Sequence, residues 1–260
     1  TDATPQQVMK LFPKTIPTGL QHGTVTVVMG EGVANHFEVT TFRIEGNYID
    51  GRRPEEVFFV QQIEQDLARR DLTINAIAYD PISDYIIDPY GGMLDLNDKM
   101  IRAVGSPKAR FQEDGLRIMR AARFAARFGY DIHLDTFQGM RDTIHTLSMI
   151  SKERIQDELS KTLMTKQPSH GVQLLLQCGA LSIACPYLTS SEVLLESINK
   201  LDECSGDLET RIAVLYGKAN YVQVQEEMTM LKFANKQIKR VIFLLNLLEK
   251  YQAFVQKDTA

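Results

Sequence analysis

The stretch IRAVGSPKARFQEDGLRIMRAARFAAR, residues 101–127, divides the chain in two. Before it, β-branched and aromatic residues alternate with polar ones. After it, apolar residues recur at helical spacing almost to the end. Within it, Gly105, Ser106 and Pro107 break the pattern before a run in which Arg117, Arg120, Arg123 and Arg127 stand three, three and four apart. At about 100° per residue these four lie within roughly 120° of one helix face. Met119, Ala122 and Ala126 fall on the adjoining arc. Seven Lys/Arg and two acidic residues lie between Met100 and Arg127, a local net charge of +5 in a chain that totals −4. A guanidinium is always charged and holds a phosphate through two hydrogen bonds, so such a ladder suits a triphosphate or an RNA backbone. A solvated basic face has the same spacing.

Upstream, HGTVTVVM (22–29) and FEVTTFRIE (37–45) read as strands, with Gly30 and Gly32 suited to the hairpin between them. A helix from Thr4 to Phe12 precedes them, capped by Thr4 with Pro5 at its first position. A second helix is expected over Glu64 to Ala78, and YIIDPYGG (85–92) as a short strand entering a turn. The helix carrying the arginines is expected to run unbroken from Glu113 to Phe128. Further helices follow at Asp135–Thr146, Ser151–Met164, Pro168–Cys178, Ser191–Asp202, Asp207–Tyr216, Tyr221–Leu231 and Asn235–Tyr251. The fold class is therefore α+β, a mixed head followed by an all-helical neck and body. The expected boundaries are a head over 1–103, a neck over 104–165 and a body over 166–260.

Composition narrows the chemistry. At 260 residues, with 44% apolar and 24% charged residues, the chain is long enough for one large or two ordinary domains with a sizeable core. No apolar run reaches the roughly 18 residues of a membrane helix, and TDATPQQVMK lacks the pattern of a signal peptide. Three cysteines without a C-x-x-C pair do not make a disulfide scaffold, and a reducing cytoplasm is the expected compartment. The five histidines show no zinc spacing. There is no nucleophile elbow and no phosphate-binding P-loop, and GEGVAN fails the dinucleotide fingerprint at its third glycine.

Three clusters remain. Asp114 and Arg117, one turn apart, offer an acceptor and a donor fork that could read the polar edge of a nucleobase, or simply form an ion pair. In DLARRDLTINA (66–76), Arg69, Arg70 and Asp71 lie together with Asn75 one turn on, suited to a phosphate and a ribose or to an exposed charged face. YIDGRRPEE (48–56) is a basic loop carrying Arg52 and Arg53, which an ordinary exposed turn would also explain.

Seven motifs occur in one order: ATPQQVMKLFP, HGTVTVV, EVTTFRIEGNYIDGRRP, DLARRDLTINAIAYD, IDPYGGMLDL, IRAVGSPKARFQEDGLRIMRAARF and ISKERIQDEL. Together they resemble the class II tRNA nucleotidyltransferases, the CCA-adding enzymes, and the related bacterial poly(A) polymerases. The resemblance covers about residues 1–165. It implies template-independent addition of C, C and A to tRNA 3′ ends from CTP and ATP. The alternatives are addition of AMP by a poly(A) polymerase and a non-catalytic RNA- or nucleotide-binding subunit of a split enzyme.

Carried over residue by residue, the resemblance gives Asp114 and Arg117 the selection of the base. It gives Arg70, Arg120 and Arg123 the nucleotide, and places Asp71 and Asn75 near the ribose. Arg52 and Arg53 belong to a mobile loop, and Arg154 and Glu158 brace the selecting helix. Residues Asp88 to Asp95 with Gly105 correspond to a hinge. The family's G-G-x-x-R-D segment and Mg²⁺-binding Asp-x-Asp pair are expected upstream of Thr1, on a missing segment or a second chain, because no metal ligands are recognised here. Glu38 matches a position facing that pair, and two metal-bound carboxylates are what activates a 3′ hydroxyl and neutralises pyrophosphate. The expected partners are tRNA or another RNA 3′ end and nucleoside triphosphates.

Overall fold

The computed structural model describes residues 1–32, 35–45, 48–49, 53–54, 57–190, 194–204 and 206–258. The chain divides into two compact units, Thr1–Leu94 and Asp95–Ala260.

The first unit opens with α1 (Pro5–Leu11), started by a capping box in which Thr4 Oγ1 accepts from Gln7 N and the Gln7 side chain accepts from Thr4 N. Strands β1 (Thr15–Gly19), β2 (Thr24–Val28) and β3 (His36–Thr40) form an antiparallel sheet in that order. The β2–β3 register pairs Thr26 with Glu38 and Val27 with Phe37. Val25 and Val27 pack with Val8 of α1 into a small core. Thr26, also buried, satisfies its hydroxyl against Thr18 at 3.0 Å. Next come β4 (Arg43–Glu45), β5 (Tyr48–Ile49), β6 (Arg53–Pro54) and β7 (Val57–Phe59), with β4 paired to β7 and β5 to β6.

Helix α2 covers only Ile63–Ala68, so the expected helix to Ala78 is shorter than its pattern. Asp71 Oδ1 accepts from Leu72 N at 3.0 Å, and Leu72 is extended, so a local side-chain bond replaces the helical one. A single 3₁₀ turn, Thr73–Asn75, follows. The hairpin of β8 (Ala78–Asp80) and β9 (Tyr85–Ile87) leads to α3 (Gly92–Asn97). The expected strand and turn are present, with Pro89 and Tyr90 in the turn, and the turn runs directly into the start of α3. Asp88 accepts from the amides of Gly92 and Met93, and a Cβ on Gly92 would lie 2.3 Å from Thr73 O.

The second unit contains β10 (Met100–Ile101), paired in parallel with β11 (Asp131–Ile132). Between them stand α4 (Pro107–Glu113), capped by Ser106, and α5 (Leu116–Phe128), closed by Gly129 at φ 68°. The arginine helix is thus broken, not continuous from Glu113. Asp114 is extended (φ −151°, ψ 106°); its carboxylate accepts from Leu116 N at 3.1 Å and its carbonyl from Arg117 N at 3.0 Å, so it ends one helix and starts the next. Gly115 makes the corner fit, because a Cβ there would lie 2.7 Å from the Thr146 carbonyl carbon.

The remaining helices are α6 (Leu134–Asp142), α7 (Lys152–Leu163), α8 (Pro168–Gln177), α9 (Ala180–Ala184), α10 (Pro186–Thr189), α11 (Leu194–Lys200), α12 (Leu208–Tyr216), α13 (Tyr221–Met230) and α14 (Asn235–Asp258). Helix α5 is central: Ile118, Met119, Ala121, Ala122, Ala125 and Ala126 are fully buried. Its alanines admit α8 closely, since a Cβ on Gly171 would sit 2.8 Å from Ala126 Cβ and 2.6 Å from Thr162 Cγ2 of α7. Farther on, buried Glu227 of α13 accepts from the amides of Tyr187 and Leu188 and from Tyr216 Oη at 2.6 Å. Among the described residues, no helix is long and apolar enough to cross a membrane.

Candidate nucleotide and RNA sites

In the first unit a cleft of about 430 Å³ is lined by Glu38, Asp66, Arg70 and Asn75, with Thr40 and Phe42. Its organiser is Asp66, which the sequence reading missed. The carboxylate is buried and accepts from Arg69 Nε and Nη2 at 3.0 and 2.7 Å, from Arg70 Nη2 at 2.8 Å and from Arg43 N at 3.2 Å. Burial by itself would raise its pKa, but the hydrogen bonds and charges of Arg69 and Arg70 outweigh it and hold the carboxyl below its ordinary 3.8. The signal was present in the sequence as an acid three and four residues before two arginines on one helix. Arg70 stays part-exposed at the cleft, aimed by that bond. Asn75 Nδ2 donates to Asp71 Oδ1 at 3.0 Å, so these two do meet, across a 3₁₀ turn instead of along a helix.

Glu38 is exposed on β3. The other acid of the cleft, Asp66, is committed to arginines, and among the described residues no group of three or more His, Cys, Asp or Glu is placed to hold a metal. One uncommitted carboxylate does not fit a two-Mg²⁺ centre. Arg52 lies outside the described residues. Arg53 is placed only as backbone, in β6.

In the second unit the four arginines do not share one solvated face. Arg117 and Arg123 are buried, Arg120 is half-buried and Arg127 exposed. Each buried one has its own carboxylate. Arg117 Nη1 donates to Glu113 Oε2 at 2.5 Å, and Arg110 shares that oxygen at 2.8 Å. Arg123 Nε donates to Glu158 of α7, both groups out of water. Asp114 accepts from Arg154 Nη2 of α7 at 2.7 Å. Asp114 and Arg117 thus each hold a further partner, Arg154 and Glu113, and both α7 residues singled out in the sequence contact the α4–α5 segment or α5 itself. Glu113 was not recognised beforehand; its position one turn before Arg117 was the available clue. Arg120 and Arg123 also face the Phe124 ring, at 5.5 and 4.3 Å from its centroid.

A mixed head with Arg70 in its cleft, followed by helices that hold clamped arginines and an aspartate, is a nucleotidyltransferase-type architecture. The comparisons agree with it. Residues 1–102 match the poly A polymerase head domain, and residues 129–191 the probable RNA- and SrmB-binding site of polymerase A. The CCA-adding enzyme of Lactococcus lactis subsp. lactis is 47% identical over 180 residues, 69% of this chain and 45% of that protein. That of Anoxybacillus flavithermus is 39% identical over 250 residues, 96% of this chain and 61% of that one. Among solved structures, the Bacillus stearothermophilus CCA-adding enzyme in complex with CTP superposes with a TM-score of 0.78 at 33% identity, covering 96% of this chain and 60% of that chain. The chain spans roughly half the length of curated relatives it matches, 45% and 48% in two CCA-adding enzymes. It belongs to the family of CCA-adding tRNA nucleotidyltransferases and poly(A) polymerases.

Proposed function

We propose that this chain selects the nucleotide and binds the RNA end in the addition of C, C and A to tRNA, with CTP and ATP as donors. The observation that carries the reading is the pair of brackets around the α4–α5 corner: Arg154 on Asp114 and Glu113 on Arg117. Cytosine and adenine each present an exocyclic amine beside a ring nitrogen acceptor, whereas uracil and guanine reverse that order. A fixed carboxylate beside a fixed guanidinium matches the first pattern and opposes the second. A site built on such hydrogen bonds rejects the wrong base strongly, because its own buried groups are then left unpaired. Preset orientation removes the ordering cost at the moment of binding.

Arg70, Arg120 and Arg123 hold the phosphates in this reading, and Asp71 with Asn75 lies at the ribose. Residues 1–103 act as head, 104–165 as neck and 166–260 as body. A Mg²⁺ centre belongs to carboxylates other than those described, and the setting is the reducing cytoplasm. The poly A polymerase descriptions of the two matched segments favour a second reading, ATP alone added to general RNA ends. Calorimetric titration of the chain with each of the four triphosphates tests the selection. CTP and ATP should bind more tightly than UTP and GTP, and Asp114→Ala should erase the preference while RNA binding persists. Equal affinity for all four would overturn it. Labelled-nucleotide incorporation on tRNA lacking its CCA end, against an unrelated RNA, separates the two readings of the product.

A further inference from the structure

The outer face of α5 carries Phe124, Arg127 and Phe128, to which the nucleotide reading above gives no role, beside Arg120, which it does use. Arg120, Phe124, Arg127 and Phe128 fall within roughly 100° of one another around the helix. The Phe124 and Phe128 rings stack, with centroids 5.9 Å apart and planes 20° from parallel. Tyr130, just past the Gly129 cap, continues the series 5.5 Å from Phe128. Cations stand beside the rings: Arg123 and Arg120 at Phe124, and Arg127 5.5 Å from the Phe128 centroid. Phe128 is 45% exposed although the opposite face of the same helix is fully buried. A lone exposed phenylalanine needs no explanation. A stacked aromatic series interleaved with arginines does, and it has the composition with which proteins hold single-stranded nucleic acid, rings for bases and guanidinium groups for the backbone.

We propose that Phe128, backed by Phe124 and Tyr130, is a stacking platform for an unpaired base of the RNA substrate, with Arg127 meeting the adjoining phosphate. The inference rests on the RNA-end reading above and adds to it a subsite separate from nucleotide selection. A nucleobase could come from the incoming triphosphate or from the RNA, and helix length decides between them. From Arg117 to Phe128 the axis rises about 16 Å, more than one nucleotide spans. A triphosphate read at Asp114 and Arg117 therefore does not reach Phe128, whereas a strand of several nucleotides does.

The test uses the full chain and two RNA hairpins, one blunt and one with a short unpaired 3′ tail carrying 2-aminopurine, whose fluorescence falls when it stacks. The native chain should quench the probe and bind the tailed hairpin about tenfold more tightly than the blunt one. Phe128→Leu keeps apolar bulk and helix propensity but removes the ring. It should abolish quenching and weaken tailed binding about tenfold, with blunt-hairpin affinity unmoved. Arg127→Gln should leave quenching in place and reduce the salt dependence of binding by about one charge. Unchanged quenching and affinity in Phe128→Leu, with the native preference for the tail intact, would overturn the platform and leave the RNA reading standing. Loss of the quench on adding CTP would assign the ring to the triphosphate base and also overturn it. A native chain that binds neither hairpin would remove both readings together.

Discussion

Both units hold arginines through acids three and four residues away, Asp66 in the first and Glu113 in the second, but the second adds pairs that reach across the chain. In the head, Asp66 gathers Arg69 and Arg70 from three and four residues away, so the cluster is built within one short helix and the turn after it. In the helical unit, the partners of Arg123 and Asp114 come from α7, 35 and 40 residues further along the chain. The local cluster leaves Arg70 part-exposed. The long-range pairs exist only once α7 has packed against this segment; Arg123–Glu158 is then shut away from water, whereas Arg154 keeps part of its guanidinium exposed. Under the proposed function, phosphate contacts in the head tolerate some adjustment, whereas base discrimination in the helical unit requires fixed angles, which tertiary clamping would supply.

The largest effect should come from the buried clamp. Glu158→Ala leaves the Arg123 guanidinium buried without its carboxylate and should cost about 3–5 kcal/mol, read from urea unfolding followed by circular dichroism. Asp66→Asn should cost less, about 1.5–3 kcal/mol, because Arg70 can turn to water. Equal losses in the two variants would break the contrast between local and long-range pairing.

Asp66 also makes the comparison sensitive to pH. Its folded pKa lies below the ordinary 3.8, so its stabilisation is fully present above that value and is lost as pH falls through the lower folded one. Unfolding midpoints of the native protein measured downward from about pH 6 should drop on that acid limb. In Asp66→Asn this contribution to the drop should be missing. An identical acid limb in both proteins would remove Asp66 from the account.

Gly115→Ala places a methyl against the Thr146–Leu147 backbone and should destabilise by about 1–3 kcal/mol. The same measurement on Gly32→Ala, where nothing lies within 4 Å but φ is +87°, isolates backbone strain from crowding. The smallest stability effect belongs to Arg154→Ala, whose guanidinium is 39% exposed: at most about 1 kcal/mol. Its functional effect should be larger, a reduced preference for CTP and ATP over UTP and GTP at nearly unchanged stability. If selectivity survived while stability fell, Arg154 would be a strut for α7 and not an aid to base reading.

Much of the chain was legible residue by residue. Thr4 and Pro5 announced α1, Gly30 and Gly32 marked the hairpin, and the family resemblance singled out Arg154 and Glu158 before their contacts were visible. Other features were hidden for identifiable reasons. The helical period runs unbroken through Glu113 to Phe128, and nothing local stops a helix at Asp114 as firmly as its own carboxylate does once the Thr146 backbone crowds Gly115. The arginine ladder looked like a solvent face because spacing records angle around the axis and says nothing about what packs there. Asp66 was passed over because an acid near two arginines is common on any exposed helix, and its burial depends on β4 reaching it through Arg43 N.

Order and chemistry of motifs were thus determined by the sequence alone: an α+β head, a helical remainder, and the residue types that can hold phosphates and read a base edge. These follow from local propensity and from charge, which each short segment carries with it. Which arginine meets which carboxylate was decided only by tertiary structure. A guanidinium accepts any carboxylate within reach, and reach is set by the alanine-lined approach of α5 to α7 and α8 and by the corner at Asp114 and Gly115.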